Sequence, residues 1–203
     1  MKGLLVHGCY DHQTFRTLES LGVGNFAFDL RARSTNLITF QMLKDILPLV
    51  RSEEVILVFE NDTTETVLSY LDLLKQTGKK FLLEFRDQRD VHYYEKIGRP
   101  FLWCFSPEGD WQKILTAKNC AGVILPVKYQ SLYHDLPHLW TLIENRGLSI
   151  WLHAENFSEA AFFDDKEGIQ ASLDLTSVAR TVDQITLRTM KFWRKINESA
   201  SGQ

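Results

Sequence analysis

The chain has 203 residues, of which 44% are hydrophobic and 24% charged, the balance of one globular domain with a sizeable core. Its net charge of -3 argues against a protein that binds nucleic acid or an anionic membrane, because such proteins normally carry a basic surplus. The three cysteines are too few and too scattered for a disulfide framework or a CxxC metal site, so we expect free thiols.

The first residues do not resemble a signal peptide or a membrane anchor. A short apolar run at residues 3–6 follows Lys2 and is interrupted by His7. No apolar stretch approaches the roughly 20 residues that a transmembrane helix needs. We therefore expect a cytoplasmic protein that acts as a monomer or homodimer, uses no cofactor, and binds neither nucleic acid nor a membrane.

Eight short apolar runs recur along the chain, each bounded by Gly, Pro, Asn or charged residues, which is typical of buried β-strands. They lie at residues 4–6, 26–29, 55–60, 81–85, 101–105, 123–125, 149–153 and 171–174. Segments with helical spacing lie between and after them, at residues 13–21, 40–50, 63–76, 90–97, 132–145 and 178–196. Weaker helical candidates lie at residues 108–118 and 158–165.

This alternation of strands and helices predicts the fold. Strands that recur every 20 to 30 residues or so with helices between them imply βα units and a parallel sheet. Eight units predict a single α/β domain, a closed (β/α)8 TIM barrel over residues 1–197, with a disordered polar tail at 198–203. The alternative is an open doubly wound sheet, but no GxGxxG or P-loop motif follows any strand to support its nucleotide-binding forms.

Polar residues cluster where the predicted strands end, which is where barrel enzymes keep their active sites. For any single residue there, a solvated loop position is the alternative to a functional role. The candidates are His7 and Cys9 at the first strand, Arg31 and Arg33 after the second, Glu84 and Arg86 at the fourth, His153 at the seventh and Asp174 at the eighth.

Glu84 is the sharpest candidate, because apolar residues flank it in a strand that should be buried. A buried carboxylate needs a partner, and His7, Arg31 and Arg86 are the available cations. Arg31 and Arg33 alternate along the chain, so in an extended segment they would share one face. Two neighbouring guanidiniums suit a carboxylate or phosphate ligand, although pairing with nearby acidic residues is an equal alternative.

Three stretches in the first third of the chain form a recognisable pattern. They read Leu-Val-His-Gly-Cys-Tyr at 5–10, Glu-Ser-Leu-Gly-Val-Gly-Asn-Phe-Ala-Phe at 19–28 and Arg-Ala-Arg-Ser-Thr-Asn-Leu-Ile-Thr at 31–39. Together they resemble the N-terminal third of phosphoribosylanthranilate isomerase. The spacing extends the resemblance more weakly over nearly the whole chain. It implies a small (β/α)8 barrel of tryptophan biosynthesis, whose Amadori rearrangement uses a cysteine base and an aspartate acid.

The residues that the resemblance assigns to chemistry are changed in this chain. His7 stands where the cysteine base is expected, with Cys9 two residues later, and Pro126 stands where the aspartate acid is expected. Residues 153–156 read His-Ala-Glu-Asn in place of a glycine-rich phosphate loop. Asn36 replaces the arginine that would meet the anthranilate carboxylate.

These changes leave three functions open. The chain is predicted to bind or transform a small anionic metabolite by isomerase-type acid–base chemistry that differs from the family's. The alternatives are a non-catalytic barrel that binds a ligand or a protein, and a genuine phosphoribosylanthranilate isomerase that uses His7 as its base.

The first function assigns roles to the strand-end residues. His7 is the predicted base, and Glu84 or Asp174 is its acid or orienting partner. The predicted substrate-binding residues are Cys9, Arg31, Arg33, Arg86 and His153. Several of these residue types also suit a divalent cation, but they share no ligand motif, so no metal is predicted.

Overall fold

The computed structural model describes residues 4–20, 23–52, 54–129, 137–155 and 169–175. Eight parallel strands close into a barrel in chain order, with the first strand paired to the last. This confirms the predicted (β/α)8 barrel and excludes the open sheet. The strands are β1 (Leu4–His7), β2 (Asn25–Asp29), β3 (Glu54–Phe59), β4 (Lys80–Phe85), β5 (Phe101–Cys104), β6 (Cys120–Pro126), β7 (Ser149–Ala154) and β8 (Ile169–Asp174).

Helices connect the strands on the outside of the barrel. Those within the described residues are α1 (His12–Ser20), α2 (Phe40–Ile46), α3 (Thr64–Leu74), α4 (Val91–Ile97), α5 (Trp111–Thr116) and α6 (Pro137–Arg146). They agree with the predicted helices to within a few residues at most ends. The predicted helices at 158–165 and 178–196, the start of the one at 132–145, and the tail at 198–203 lie outside the described residues.

Polar side chains determine where several helices begin. Thr39, Thr63 and Asp90 each accept a hydrogen bond from a backbone N–H two or three residues further on, at the starts of α2, α3 and α4. Such N-caps satisfy donors that have no partner within the helix. The three N-caps therefore mark where the loops after β2, β3 and β4 end and the helices begin.

The hydrophobic residues form two layers, one inside the barrel and one between the barrel and the helices. The inner layer consists of Leu5, Ala27, Ile56, Val58, Leu82, Leu102, Ile124 and Trp151. Successive residues of a strand face opposite sides of a sheet, so the residue two positions on also points into the barrel. That step leads from Leu5 to His7, from Leu82 to Glu84 and from Trp151 to His153. A polar layer therefore lies directly above an apolar one, towards the carboxyl ends of the strands.

Gly8, just after β1, supports this polar layer. Its φ of +82° lies in the left-handed region that favours glycine. A Cβ atom there would lie 3.1 Å from Oδ1 of Asp174 and would overlap Nδ2 of Asn36. The absence of a side chain at Gly8 lets both groups approach the end of β1.

We expect Gly8→Ala to destabilise the barrel more than Gly78→Ala. Both glycines have positive φ, but a Cβ atom at Gly78 would meet nothing within 4 Å. Gly78→Ala should therefore lower the free energy of unfolding only by the cost of placing a residue with a Cβ atom in the left-handed conformation, about 1–2 kcal/mol. Gly8→Ala should lower it by about 1–3 kcal/mol more, because the new methyl group overpacks the site. Urea unfolding of both variants measures the difference, and equal losses would contradict the close approach at Gly8.

Candidate functional site

Four side chains form one hydrogen-bonded chain across the top of the barrel interior. Nε2 of His7 lies 2.6 Å from Oε2 of Glu84 on β4. On the other side of the ring, Nδ1 of His7 lies 3.1 Å from Oγ of Ser172 on β8. The same Oγ lies 2.9 Å from Nδ1 of His153 on β7. The chain therefore runs from Glu84 through His7 and Ser172 to His153, and all four residues are buried.

Glu84 anchors this chain as an ionised carboxylate. Its side chain is 0% exposed, and burial by itself would raise its pKa. Electrostatic attraction to His7 and Arg86, with the hydrogen bond from His7, more than offsets burial and holds the pKa of Glu84 well below its usual value. Arg86 contributes through its Nε, which donates to Oε1 of Glu84 at 2.8 Å. An ionised carboxylate only accepts hydrogen bonds, so Nε2 of His7 donates.

His153, at the other end of the chain, is held neutral. Burial, followed by electrostatic repulsion from His7 and Arg86, lowers its pKa well below the usual value for histidine. Its ring stands edge-on to that of His7, with centroids 5.0 Å apart. Nε2 of His153 is buried and has no hydrogen-bond partner among the described residues. This nitrogen is the end of the hydrogen-bonded chain of side chains, and we call it the open end because it is available to a further partner.

Arg86, Asp174 and Asn36 extend the cluster towards β1. Nη1 of Arg86 lies 3.6 Å from Oδ2 of Asp174. The other oxygen of Asp174 faces Gly8, against which the amide of Asn36 also packs. Nδ2 of Asn36 is buried and has no hydrogen-bond partner within the part of the chain that the structure describes. Nδ2 of Asn36 is therefore the second buried polar atom of the cluster without a partner among the described residues.

The arginines after β2 behave differently from each other. Arg31 donates from Nε and Nη2 to both oxygens of Asp29, at 2.9 and 2.6 Å. Asp29 also accepts from the Ser34 hydroxyl at 2.6 Å, and the N–H of Ser34 bonds back to the carbonyl of Arg31. These bonds form a turn rather than the extended segment in which Arg31 and Arg33 would share one face, and Arg31 pairs with nearby acidic residues, which was the alternative. Arg31 is held near the cluster, whereas Arg33 is exposed.

Cys9 lies away from the cluster. It is fully buried in the hydrophobic layer outside the barrel sheet, together with Phe15 and other apolar residues. Burial, and then the nearby Asp11 carboxylate, raise the pKa of the Cys9 thiol well above its usual value. Such a thiol stays protonated and makes a poor base or nucleophile.

The structure thus brings together most of the predicted site residues. His7, Glu84, Arg86, His153 and Asp174 meet in one cluster, Arg31 lies beside it, and Cys9 and Arg33 do not join it. The roles assigned to these residues stay predictions.

Sequence reasoning did not select Ser172 or Asn36 as site residues. Ser172 could have been found from its position two residues before Asp174, which places both on the inner face of one strand. It also lies opposite His153 in the β7–β8 register. Asn36 appeared only as a departure from the isomerase pattern, and only the folded loop shows its amide against Gly8.

The described part of the cluster carries no surplus of positive charge. Four carboxylates lie in or beside it, and two guanidiniums face them. The carboxylates are Asp29, Glu60, Glu84 and Asp174, and the guanidiniums are Arg31 and Arg86. Across the described ranges, no three His, Cys, Asp or Glu side chains are arranged to hold a metal ion. Among the same residues, no helix is long and apolar enough to cross a membrane.

Burial of neutral His153 predicts that the protein loses stability in mild acid. Histidine in an unfolded chain has a pKa of about 6.5, whereas the pKa of folded His153 lies well below that. Between the two values the unfolded chain binds a proton that folded His153 does not. The free energy of unfolding should therefore fall as the pH drops below about 6.5, by up to about 1.4 kcal/mol per pH unit from this residue.

His153→Gln should make this decline shallower, and urea unfolding at several pH values between about 7 and 5 measures it. His92→Gln is the matched control, because His92 is exposed. If His153→Gln and wild type lost stability equally over this range, the buried neutral state of His153 would be refuted.

Comparisons with solved structures find barrels of the same architecture. A phosphoribosylanthranilate isomerase from Thermus thermophilus aligns with a TM-score of 0.66 and 16% identity, over 96% of this chain and 99% of that one. Another, in complex with reduced 1-(o-carboxyphenylamino)-1-deoxyribulose 5-phosphate, aligns with a TM-score of 0.68 and 13% identity, over 93% and 96%. An HpcH/HpaI aldolase from Desulfitobacterium hafniense aligns with a TM-score of 0.65 and 11% identity, over 97% and 93%.

Comparisons at the level of sequence find nothing. No family model matches the chain, and no curated protein matches it significantly. The structural alignments show a shared fold. At identities of 11 to 16%, they do not show a shared chemistry. The chain therefore has the (β/α)8 fold found in phosphoribosylanthranilate isomerases, as the sequence resemblance predicts.

Proposed function

We propose that the carboxyl-end mouth of this barrel binds a small anionic metabolite and transforms it by acid–base chemistry. The observation that carries the proposal is the pair of buried polar atoms, Nε2 of His153 and Nδ2 of Asn36, that lack partners among the described residues. Leaving a buried polar atom unpaired costs about 1–3 kcal/mol. Natural proteins tolerate that cost chiefly where a ligand, ion or water completes the site.

Nδ2 of Asn36 and Nε2 of His153 need different kinds of hydrogen-bond partner. The amide of Asn36 donates, so it suits an acceptor such as a carboxylate oxygen. The neutral ring of His153 can offer a lone pair at Nε2, which suits a hydroxyl group or an acidic C–H group. A ligand that carries a carboxylate and also a hydroxyl or acidic C–H group offers one partner to each atom. Such a ligand could also be a substrate, because its hydroxyl or acidic C–H group can give up a proton to a general base.

The guanidiniums support an anionic ligand of low charge. Arg86 donates one hydrogen bond, from Nε to Glu84, and lies at the longer distance of 3.6 Å from Asp174. Because guanidinium carries five N–H groups, Arg86 has donors to spare for a ligand. The balance of carboxylates over guanidiniums opposes a multiply charged anion, so we favour a single carboxylate. The ligand named in one similar isomerase structure also carries a carboxylate, together with a phosphate.

The same cluster argues against the unaltered isomerase reaction. Both ring nitrogens of His7 are hydrogen-bonded, one to Glu84 and one to Ser172, so His7 does not present a free base to a substrate. Pro126, at the position of the expected acid, ends β6 opposite His153 and has no proton to transfer. We therefore place the chemistry at the His153 end of the cluster.

Ligand screening by thermal shift tests the binding proposal. The panel should contain hydroxy and keto acids, aromatic acids and sugar phosphates, because binding to the native state raises its stability. A ligand at about 100 times its Kd adds about 2.7 kcal/mol, which corresponds to a rise in Tm of about 5–10 °C for a chain of this size. Asn36→Ala should abolish the shift, and Arg33→Ala, at an exposed position, should retain it. A panel that shifts neither wild type nor Arg33→Ala would count against a metabolite site.

We also expect the purified protein to leave phosphoribosylanthranilate unconverted. The loss of substrate fluorescence over time measures the isomerase reaction, with an authentic isomerase as positive control. Conversion by wild type that His7→Ala abolishes would overturn our assignment and restore the isomerase with a histidine base.

A further inference from the structure

While His153 is neutral, the hydrogen-bonded chain of side chains from Glu84 to His153 allows two arrangements of its protons. In each, Nε2 of His7 donates to the Glu84 carboxylate, because that carboxylate can only accept. When His7 is neutral, its Nδ1 is an acceptor and the Ser172 hydroxyl donates to it. Oγ of Ser172 then accepts from Nδ1–H of His153, which leaves a lone pair on Nε2 of His153. The open end of the chain is a base.

The second arrangement contains one more proton. His7 then carries protons on both nitrogens, and its Nδ1–H donates to Ser172. The Ser172 hydroxyl donates to Nδ1 of His153, so the proton of neutral His153 lies on Nε2. The open end of the chain is now an acid. The positive charge lies on His7, beside the carboxylate of Glu84 at 2.6 Å.

Resting on the proposed metabolite site, we infer that Nε2 of His153 is the atom that exchanges protons with the ligand, and that Ser172 relays each proton to the His7–Glu84 pair. A proton taken from the ligand binds Nε2 of His153. The proton on Nδ1 of His153 passes to Oγ of Ser172 as the Ser172 hydroxyl proton passes to Nδ1 of His7. One proton enters, one bond to hydrogen forms at each acceptor, and no other group changes. The reverse sequence returns the proton to the ligand.

The charges around His153 favour transfer of the proton from His153 to the His7–Glu84 pair. The charged and titratable groups that act on its ring from the described elements are His7 of β1, Glu84 of β4, and the two arginines that follow β2 and β4, Arg31 and Arg86. The two arginines oppose a positive charge on His153, whereas Glu84 lies in direct contact with His7. A proton that arrives at His153 is therefore more stable on His7. His153 is the catalytic residue in this scheme, and Ser172, His7 and Glu84 are positioning residues.

Histidine tautomers measured by NMR test the relay without any ligand. In protein labelled with 15N-histidine, we expect His153 to carry its proton on Nδ1 whenever His7 is neutral. At every pH, the fraction of His153 in the Nε2–H tautomer should equal the fraction of His7 that carries protons on both nitrogens, while His153 stays neutral. This coupled change is the signature of the relay, because a serine that merely fills space would not link the two rings. A single unchanging His153 tautomer throughout the protonation of His7 would overturn the inference.

Variants at position 172 supply the control. Ser172→Ala should uncouple the two rings, and Ser172→Thr, which keeps the hydroxyl group, should restore the equality of the two fractions. Coupling that persists in Ser172→Ala would also overturn the relay, and the wild-type titration decides the question if that variant fails to fold. Because these measurements need no ligand, their failure is distinct from an empty thermal-shift screen, which bears on the metabolite site itself.

Discussion

The buried carboxylate of Glu84 is the constraint on which the rest of the cluster depends. An ionised group in the interior of a barrel is stable only when opposite charge and hydrogen bonds compensate for its lost hydration. His7 supplies this compensation from β1, and Arg86 supplies it from the position just after β4. Each of them then needs partners of its own. Asp174 lies beside Arg86, and Ser172 occupies the second nitrogen of His7, which in turn leads to His153.

The fold could be predicted from the sequence because its signals are local and repeated. Eight apolar runs alternate with helical segments, and each strand needs only its own residues to be recognised. The inner apolar layer depends on the same period of two residues that defines a strand. A substitution at a strand end leaves that layer unchanged, so the barrel can keep its architecture while its polar rim varies. This explains how a chain with only 16% identity to an isomerase can share its fold.

The site could be predicted only where charge itself pointed to it. Glu84 stood out because a carboxylate in an apolar strand demands a cation, and two of the cations that the sequence offered, His7 and Arg86, are its partners. Ser172 carries no charge and makes no such demand, so its place between two histidines follows only from strand pairing across the barrel. The turn at Arg31 depends on Asp29 bonding to three groups at once, which no periodicity reveals. The direction of Cys9 depends on the conformation after Gly8 rather than on sequence spacing.

The position of His7 explains why a histidine there is more than a substitute for a cysteine base. A cysteine side chain ends close to its own strand, whereas the imidazole of His7 reaches Glu84 on β4 with one nitrogen and Ser172 on β8 with the other. A base needs a lone pair that its substrate can reach, and both of these nitrogens are occupied. The hydrogen bonds that stabilise Glu84 therefore remove His7 from direct contact with a substrate. Through Ser172, His7 is also connected to His153. Nε2 of His153 is the one ring nitrogen of these two histidines that has no hydrogen-bond partner among the described residues. In this barrel, the partners that one buried carboxylate requires occupy both nitrogens of His7 and connect His7 to His153, which is the base in the relay that we propose.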